Sequence, residues 1–151
     1  MKTPGSIIEL IFPPAETAPP APWDAPPGAV LSSDSLGLAL HFAPARWLLL
    51  DTAATLVDAA VQGGALAIDV EGKWTLIELP APHARGTLSA AINVAAVLDG
   101  RDCAAATLFD CPAVIARRDR GESFLVCVHS SYAFSFNAAL VAALGRCGPA
   151  A

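Results

Sequence analysis

The chain has 151 residues, of which 54% are hydrophobic and only 15% charged, with a formal net charge of -5 and an isoelectric point near 4.9. That length suits one domain with a self-sufficient core and is too short for two full ones. The acidic balance argues against nucleic-acid binding, for which a basic face is expected, and the scarcity of charge implies a surface that is unusually small-apolar or covered by something else, which hints at a subunit.

Cys103, Cys111, Cys127 and Cys147 are scattered, with no Cys-x-x-Cys pair, which suits reduced thiols rather than a disulfide framework. The first residues lack the apolar length and flanks of a secretory signal, and no stretch reaches the roughly 18 to 20 apolar residues of a membrane helix. A cytoplasmic location is expected, with no membrane partner.

Residues 1–34 hold eight of the thirteen prolines, a density incompatible with a helix interior or a central strand. They read as an extended or disordered arm, although Ile7 to Phe12 and Trp23 are more apolar than a solvated linker needs. Residues 35–146 read as a single α+β domain and 147–151 as a tail. In the domain, Leu36 to Phe42 and Trp47 to Leu50 are short strands, Asp51 or Thr52 is a suitable N-cap, and the helix that follows ends at Gly63-Gly64. Ala65 to Val70 is a strand, and Glu71-Gly72 turns it back as a hairpin into the alternating run Trp74 to Leu79.

After Pro80, the spacing Ala84, Leu88, Ala91, Ile92 predicts a helix packed on that strand, followed by a loop or short turn over Asn93 to Arg101. Ala105 to Phe109, Ala113 to Arg117 and Ser123 to Val128 read as three strands, with Asp110-Cys111-Pro112 and Arg118 to Glu122 as turns. Ser130 or Ser131 caps a last helix whose apolar stripe is Tyr132, Phe136, Leu140, Val141 and Leu144. A strand feeding an alanine-rich helix thus occurs twice, after Trp47 and after Phe124. Trp47 and Trp74 are the leading core residues.

No catalytic, cofactor-binding or metal-binding set emerges. His41, His83 and His129 lack ligand spacing. Cys127 has apolar strand neighbours in place of the cation a reactive thiol needs. Ser130 and Ser131 beside His129 have no Gly-x-Ser-x-Gly elbow, and no glycine pattern forms a nucleotide cradle. The residues left for a partner interface are Phe12 and Trp23 in the arm, His83 and Arg85 at a helix start, and Arg117, Arg118 and Arg120 at a charged turn. For the last five, an ordinary solvated surface is the competing reading.

Several collinear pieces carry a resemblance. They are Pro44-Ala45-Arg46-Trp47-Leu48-Leu49-Leu50, Ala67-Ile68-Asp69-Val70, and Leu79-Pro80-Ala81-Pro82-His83-Ala84-Arg85. Downstream come Gly100-Arg101-Asp102-Cys103, Thr107-Leu108, Pro112-Ala113-Val114 and Phe124-Leu125-Val126-Cys127-Val128. Together they resemble the gamma subunit of heterotetrameric sarcosine oxidase, in which a Gly-Pro-Asp-Glu-Trp-Leu-Leu-Leu run and a strand, Ser-Gly-Pro-x-Ala-Arg, then helix occupy the first and third places. Ala81 stands where the family has glycine. The segment Asp69 to Lys73 replaces the family's Asp-x-Ser-Asp segment, which leaves open a relative acting on another N-methyl amino acid.

The resemblance implies an aminomethyltransferase-like α+β fold with ferredoxin-like strand-helix units and an antiparallel or mixed sheet. It also implies a non-catalytic accessory or assembly role beside larger alpha and beta flavoprotein subunits and a small delta subunit. FAD, FMN, NAD and tetrahydrofolate would lie on those partners, with no cofactor in this chain. The alternative is a stand-alone tetrahydrofolate-binding protein related to aminomethyltransferases.

Overall fold

A computed structural model describes residues 4–14, 18–118 and 123–147. The fold is mixed α+β with antiparallel sheets. In place of one domain over 35–146, the chain forms two compact units, Met1–Glu71 and Gly72–Ala151, and the boundary falls at the Glu71-Gly72 turn.

The first unit is a five-stranded sheet with one helix. Its elements are β1 (Ile7–Ile11), β2 (Val30–Ser33), β3 (Gly37–Ala43), β4 (Arg46–Leu50), α1 (Ala54–Gln62) and β5 (Leu66–Asp69), and the strand order is β2-β3-β4-β1-β5. The stretch expected to be an extended or disordered arm therefore supplies a strand flanked on both sides. Ile8 pairs with Leu49 of β4 and with Asp69 of β5. The prolines do not prevent this, because Ile7–Ile11 lies between Pro4 and Pro13 and keeps every amide free to donate. Leu10, Ala39, Trp47 and Leu49 pack with Val57, Ala60 and Ala65 into one core.

The helix N-cap is Ala53, without a side-chain cap, and neither Asp51 nor Thr52 caps α1. Their polar atoms are committed elsewhere. Asp51 sits at φ +57°, and its Oδ1 accepts from the amides of Gly5 and Ser6, which fastens the chain just ahead of β1. Thr52 Oγ1 donates to the Leu36 carbonyl. Gly37 has φ +59°, and a Cβ there would lie 2.1 Å from the Leu50 carbonyl oxygen, so only glycine fits where β3 begins.

The second unit contains β6 (Trp74–Leu79), α2 (Ala84–Ser89), α3 (Val94–Leu98), β7 (Cys103–Leu108), β8 (Cys111–Arg118), β9 (Ser123–His129), a 3-10 turn (Ser130–Tyr132) and α4 (Ala133–Cys147). The strand order is β6-β9-β8-β7. The expected β5–β6 hairpin does not form: β5 pairs with β1, and β6 runs beside β9 from Trp74↔His129 to Leu79↔Phe124. The predicted helix after Pro82 is shorter than its periodicity suggested. Asn93, the first residue of the expected loop or short turn, starts α3 by accepting from the Ala96 amide at 3.1 Å.

Phe109 and Asp110, both at positive φ, form the two-residue turn between β7 and β8, so the turn lies just before the predicted Asp110-Cys111-Pro112. Leu79, Leu88, Leu98, Ile115, Phe124, Val126, Phe136 and Leu140 form the core of this unit. Ser130 opens the 3-10 turn that precedes α4, and its Oγ lies 3.0 Å from Thr75 Oγ1 on β6. Both tryptophans expected in cores are there, Trp47 at 1% and Trp74 at 8% exposure.

Candidate functional site: an aromatic and proline cavity in the first unit

Among the described residues, the most site-like place lies in the first unit, where the proline-rich segment between β1 and β2 meets β3, β4 and α1. Trp47 on β4 stacks on His41 of β3 with centroids 4.3 Å apart, meets Trp23 edge-on at 5.3 Å, and Trp23 in turn lies 6.3 Å from Phe12. A cavity of about 500 Å³ is bounded by these four rings and by prolines that include Pro20 and Pro26. Proline walls have fixed φ, so the cavity is held open with little conformational freedom to lose on binding.

His41 is fixed from three directions. Its amide donates to the Ala29 carbonyl, its carbonyl accepts from the Gly28 amide, and its ring Nδ1 lies 2.9 Å from the Ala25 carbonyl oxygen. A carbonyl only accepts, so Nδ1 carries the proton and Nε2 is left as an acceptor. Nε2 is buried and has no partner among the described residues. Burial pushes the His41 pKa below the usual value, outweighing the bonds to the Ala25 and Pro26 carbonyls, so the ring is neutral at pH 7.

The candidate interface residues do not gather into one place. Phe12 and Trp23 come together at the cavity, where Trp23 is buried against its own unit and Phe12 is half-buried. His83 and Arg85 belong to the second unit, at the start of the six-residue α2, where His83 is half-buried and Arg85 exposed. Arg117 and Arg118 end β8 half-buried, and the Arg117 Nε is buried without a partner among the described residues. Arg120 lies outside the described residues. Sequence reasoning passed over His41 as an isolated histidine. The signal was its place on β3, two residues from the buried Ala39 and one strand away from Trp47.

The second unit shows little chemistry. Cys127 is fully buried, and desolvation first, then the neighbouring Cys103, pushes its thiol up to about 12, far from thiolate at neutral pH. His129 packs on Trp74 at 4.4 Å. Among the described residues no three His, Cys, Asp or Glu side chains converge as a metal site, and no helix is long and apolar enough to cross a membrane.

The architecture is thus an α+β chain of two antiparallel-sheet units with one aromatic cavity and no converging catalytic set among the described residues. Its fold is similar to that of a chain in the heterotetrameric sarcosine oxidase from Corynebacterium sp. U-96, solved in complex with pyrrole 2-carboxylate. The TM-score is 0.71 at 18% identity, over 97% of this chain and 82% of that one. No protein-family model and no curated protein matches the sequence.

Proposed function

We propose that this chain is a gamma-type, non-catalytic accessory subunit of a multisubunit sarcosine oxidase or of a related N-methyl amino acid oxidoreductase. The observation that carries this reading is the shared fold over 97% of this chain and 82% of the other. On this reading the alpha and beta flavoprotein subunits and a small delta subunit are its partners. FAD, FMN, NAD and tetrahydrofolate are held by those partners, the fold is of the aminomethyltransferase-like kind, and the complex works in the cytoplasm.

The surface supports a life in a complex. From Ala133 to Gly145, α4 carries no charged residue, and Phe134 is 88% and Val141 64% exposed. Exposed Phe and Val on an uncharged helix mark a surface that a partner covers. His83, Arg85, Arg117, Arg118 and Arg120 are further candidate polar contacts with a partner.

Co-expression of the tagged chain with the flavoprotein subunits, followed by affinity purification and mass measurement, tests the proposal. A flavin-containing complex that oxidises sarcosine or another N-methyl amino acid is expected, and Phe134→Glu should weaken its assembly. A chain that stays monomeric and recovers no flavoprotein would overturn it. Tight, stoichiometric binding of tetrahydrofolate by the chain alone would favour a stand-alone folate-binding protein.

A further inference from the structure

The outer face of α4 carries a pattern that says what fits it. Phe136, Leu140 and Ala143 are buried on the inner face. The helical repeat turns Phe134, Ala138, Val141 and Gly145 to the opposite side, and all four are exposed. Their steps of four, three and four residues are those of the seam along which two helices pack.

Large and small residues alternate along this stripe: Phe, Ala, Val, Gly. In a parallel pair of identical helices each seam position meets itself, so Phe134 would crowd its own copy while Gly145 left a gap. An antiparallel pair reverses the order. Phe134 then meets Gly145 of the second copy and Ala138 meets Val141, so every layer holds one large and one small side chain and the helices pack without voids. The stripe is its own complement. Its flanks, Asn137 and Leu144 on one side and Ser135 and Ala142 on the other, are uncharged, so two copies of a chain with net charge -5 meet here without opposing like charges.

We propose that the free chain pairs with a second copy of itself through antiparallel packing of α4 on α4. One helix-on-helix contact lies at or below the low end of specific interfaces, about 1,200 Å² in total, so the pair forms and dissociates with concentration. On the subunit reading above, a flavoprotein partner later takes the same face. The pairing is measured on the chain alone, so it stands or fails separately from that reading.

Sedimentation equilibrium of the full chain from about 10 μM to about 1 mM should show monomer passing to dimer by mass action. Gly145→Phe leaves the monomer folded, since a Cβ at Gly145 meets nothing within 4 Å, but in the pair its ring would collide with Phe134. Phe134→Ala, at a position 88% exposed, also spares the monomer and removes the large member of that layer. Each should weaken dimerisation by about tenfold or more. The double variant, Phe134→Ala with Gly145→Phe, places the ring on the other side of the same layer and should return to within about threefold of the parent. Circular dichroism checks folding; should one variant fail to fold, the parent and the remaining single variant still decide. A chain that stays monomeric throughout, dimerisation that a folded single variant does not weaken, or a folded double variant as weak as the singles would each overturn the proposal.

Discussion

Truncating Trp47 to alanine tests the account of the first unit most directly. The side chain is 1% exposed, so its whole area returns to a cavity or to solvent when it is removed. Core Phe or Trp to Ala changes cost about 3–5 kcal/mol. Trp47 also makes two ring contacts, the stack on His41 at 4.3 Å and the edge contact with Trp23 at 5.3 Å, and such pairs add about 0.5–1.5 kcal/mol each. The cost should therefore fall at the top of the range, near 5 kcal/mol, which is comparable to the whole stability of a small domain.

Urea unfolding followed by circular dichroism measures the loss. Trp74, alone in the second unit, reports that unit by fluorescence, so the two transitions can be told apart. Phe134→Ala is the control: at 88% exposure it should change stability by less than about 0.5 kcal/mol. A loss below about 1 kcal/mol for Trp47→Ala would mean that the ring cluster does not hold the unit together.

Four further outcomes are expected. Gly37→Ala should cost at least about 3 kcal/mol in the same assay, since its Cβ would meet the Leu50 carbonyl at 2.1 Å and its φ is +59°; a loss under about 1 kcal/mol would contradict that close approach. Trp74→Phe should fall within about 1 kcal/mol of the parent, because it removes a buried Nε1 donor with no partner among the described residues while keeping the ring. Equal losses for Trp74→Phe and Trp74→Ala would refute this. Because burial lowers the His41 pKa, the unfolded chain takes up that proton at higher pH than the folded one; the stability is complete above about pH 6.5 and is lost as pH falls through the folded pKa. His41→Phe should flatten this part of the urea-midpoint profile between pH 8 and pH 5, and an unchanged acid dependence would exonerate His41. Cys127, with its thiol pushed up to about 12, should resist iodoacetamide at pH 8 until the chain unfolds, as read by peptide mass spectrometry; rapid labelling of native protein would contradict its burial.

The strands from Leu36 onward were legible because each carries a run of buried or alternating apolar residues bounded by turn residues, and Gly63-Gly64 marked the end of α1. What the sequence concealed were partnerships. Ile7–Ile11 has strand composition, but proline density on either side spoke louder, and nothing local says that Leu66 and Trp47 will flank it. Asp51 has the chemistry of a cap, yet its carboxylate serves Gly5 and Ser6, forty-odd residues away in sequence. Asn93 could stop one helix or start another, and only the Ala96 amide decides. The cavity was half-visible: Phe12 and Trp23 stood out as surplus apolar residues, whereas His41 acquires meaning only when Ala25 and Trp47 are folded against it.

The position of β1 also dictates an order of events as the chain is made. This strand is synthesised before the other strands of its sheet, and both of its neighbours, β4 and β5, come after the proline segment and after β2 and β3. At roughly 5–20 residues per second, the strand emerges seconds before it has anything to pair with. Until then its amides and carbonyls are open to any passing strand, and the two flanking edges stay equally open if the strand is lost. A truncation that removed only Ile7–Ile11 would thus create two sticky seams at once, and a chaperone or an early-arriving companion chain has most to do before Asp69 has left the ribosome.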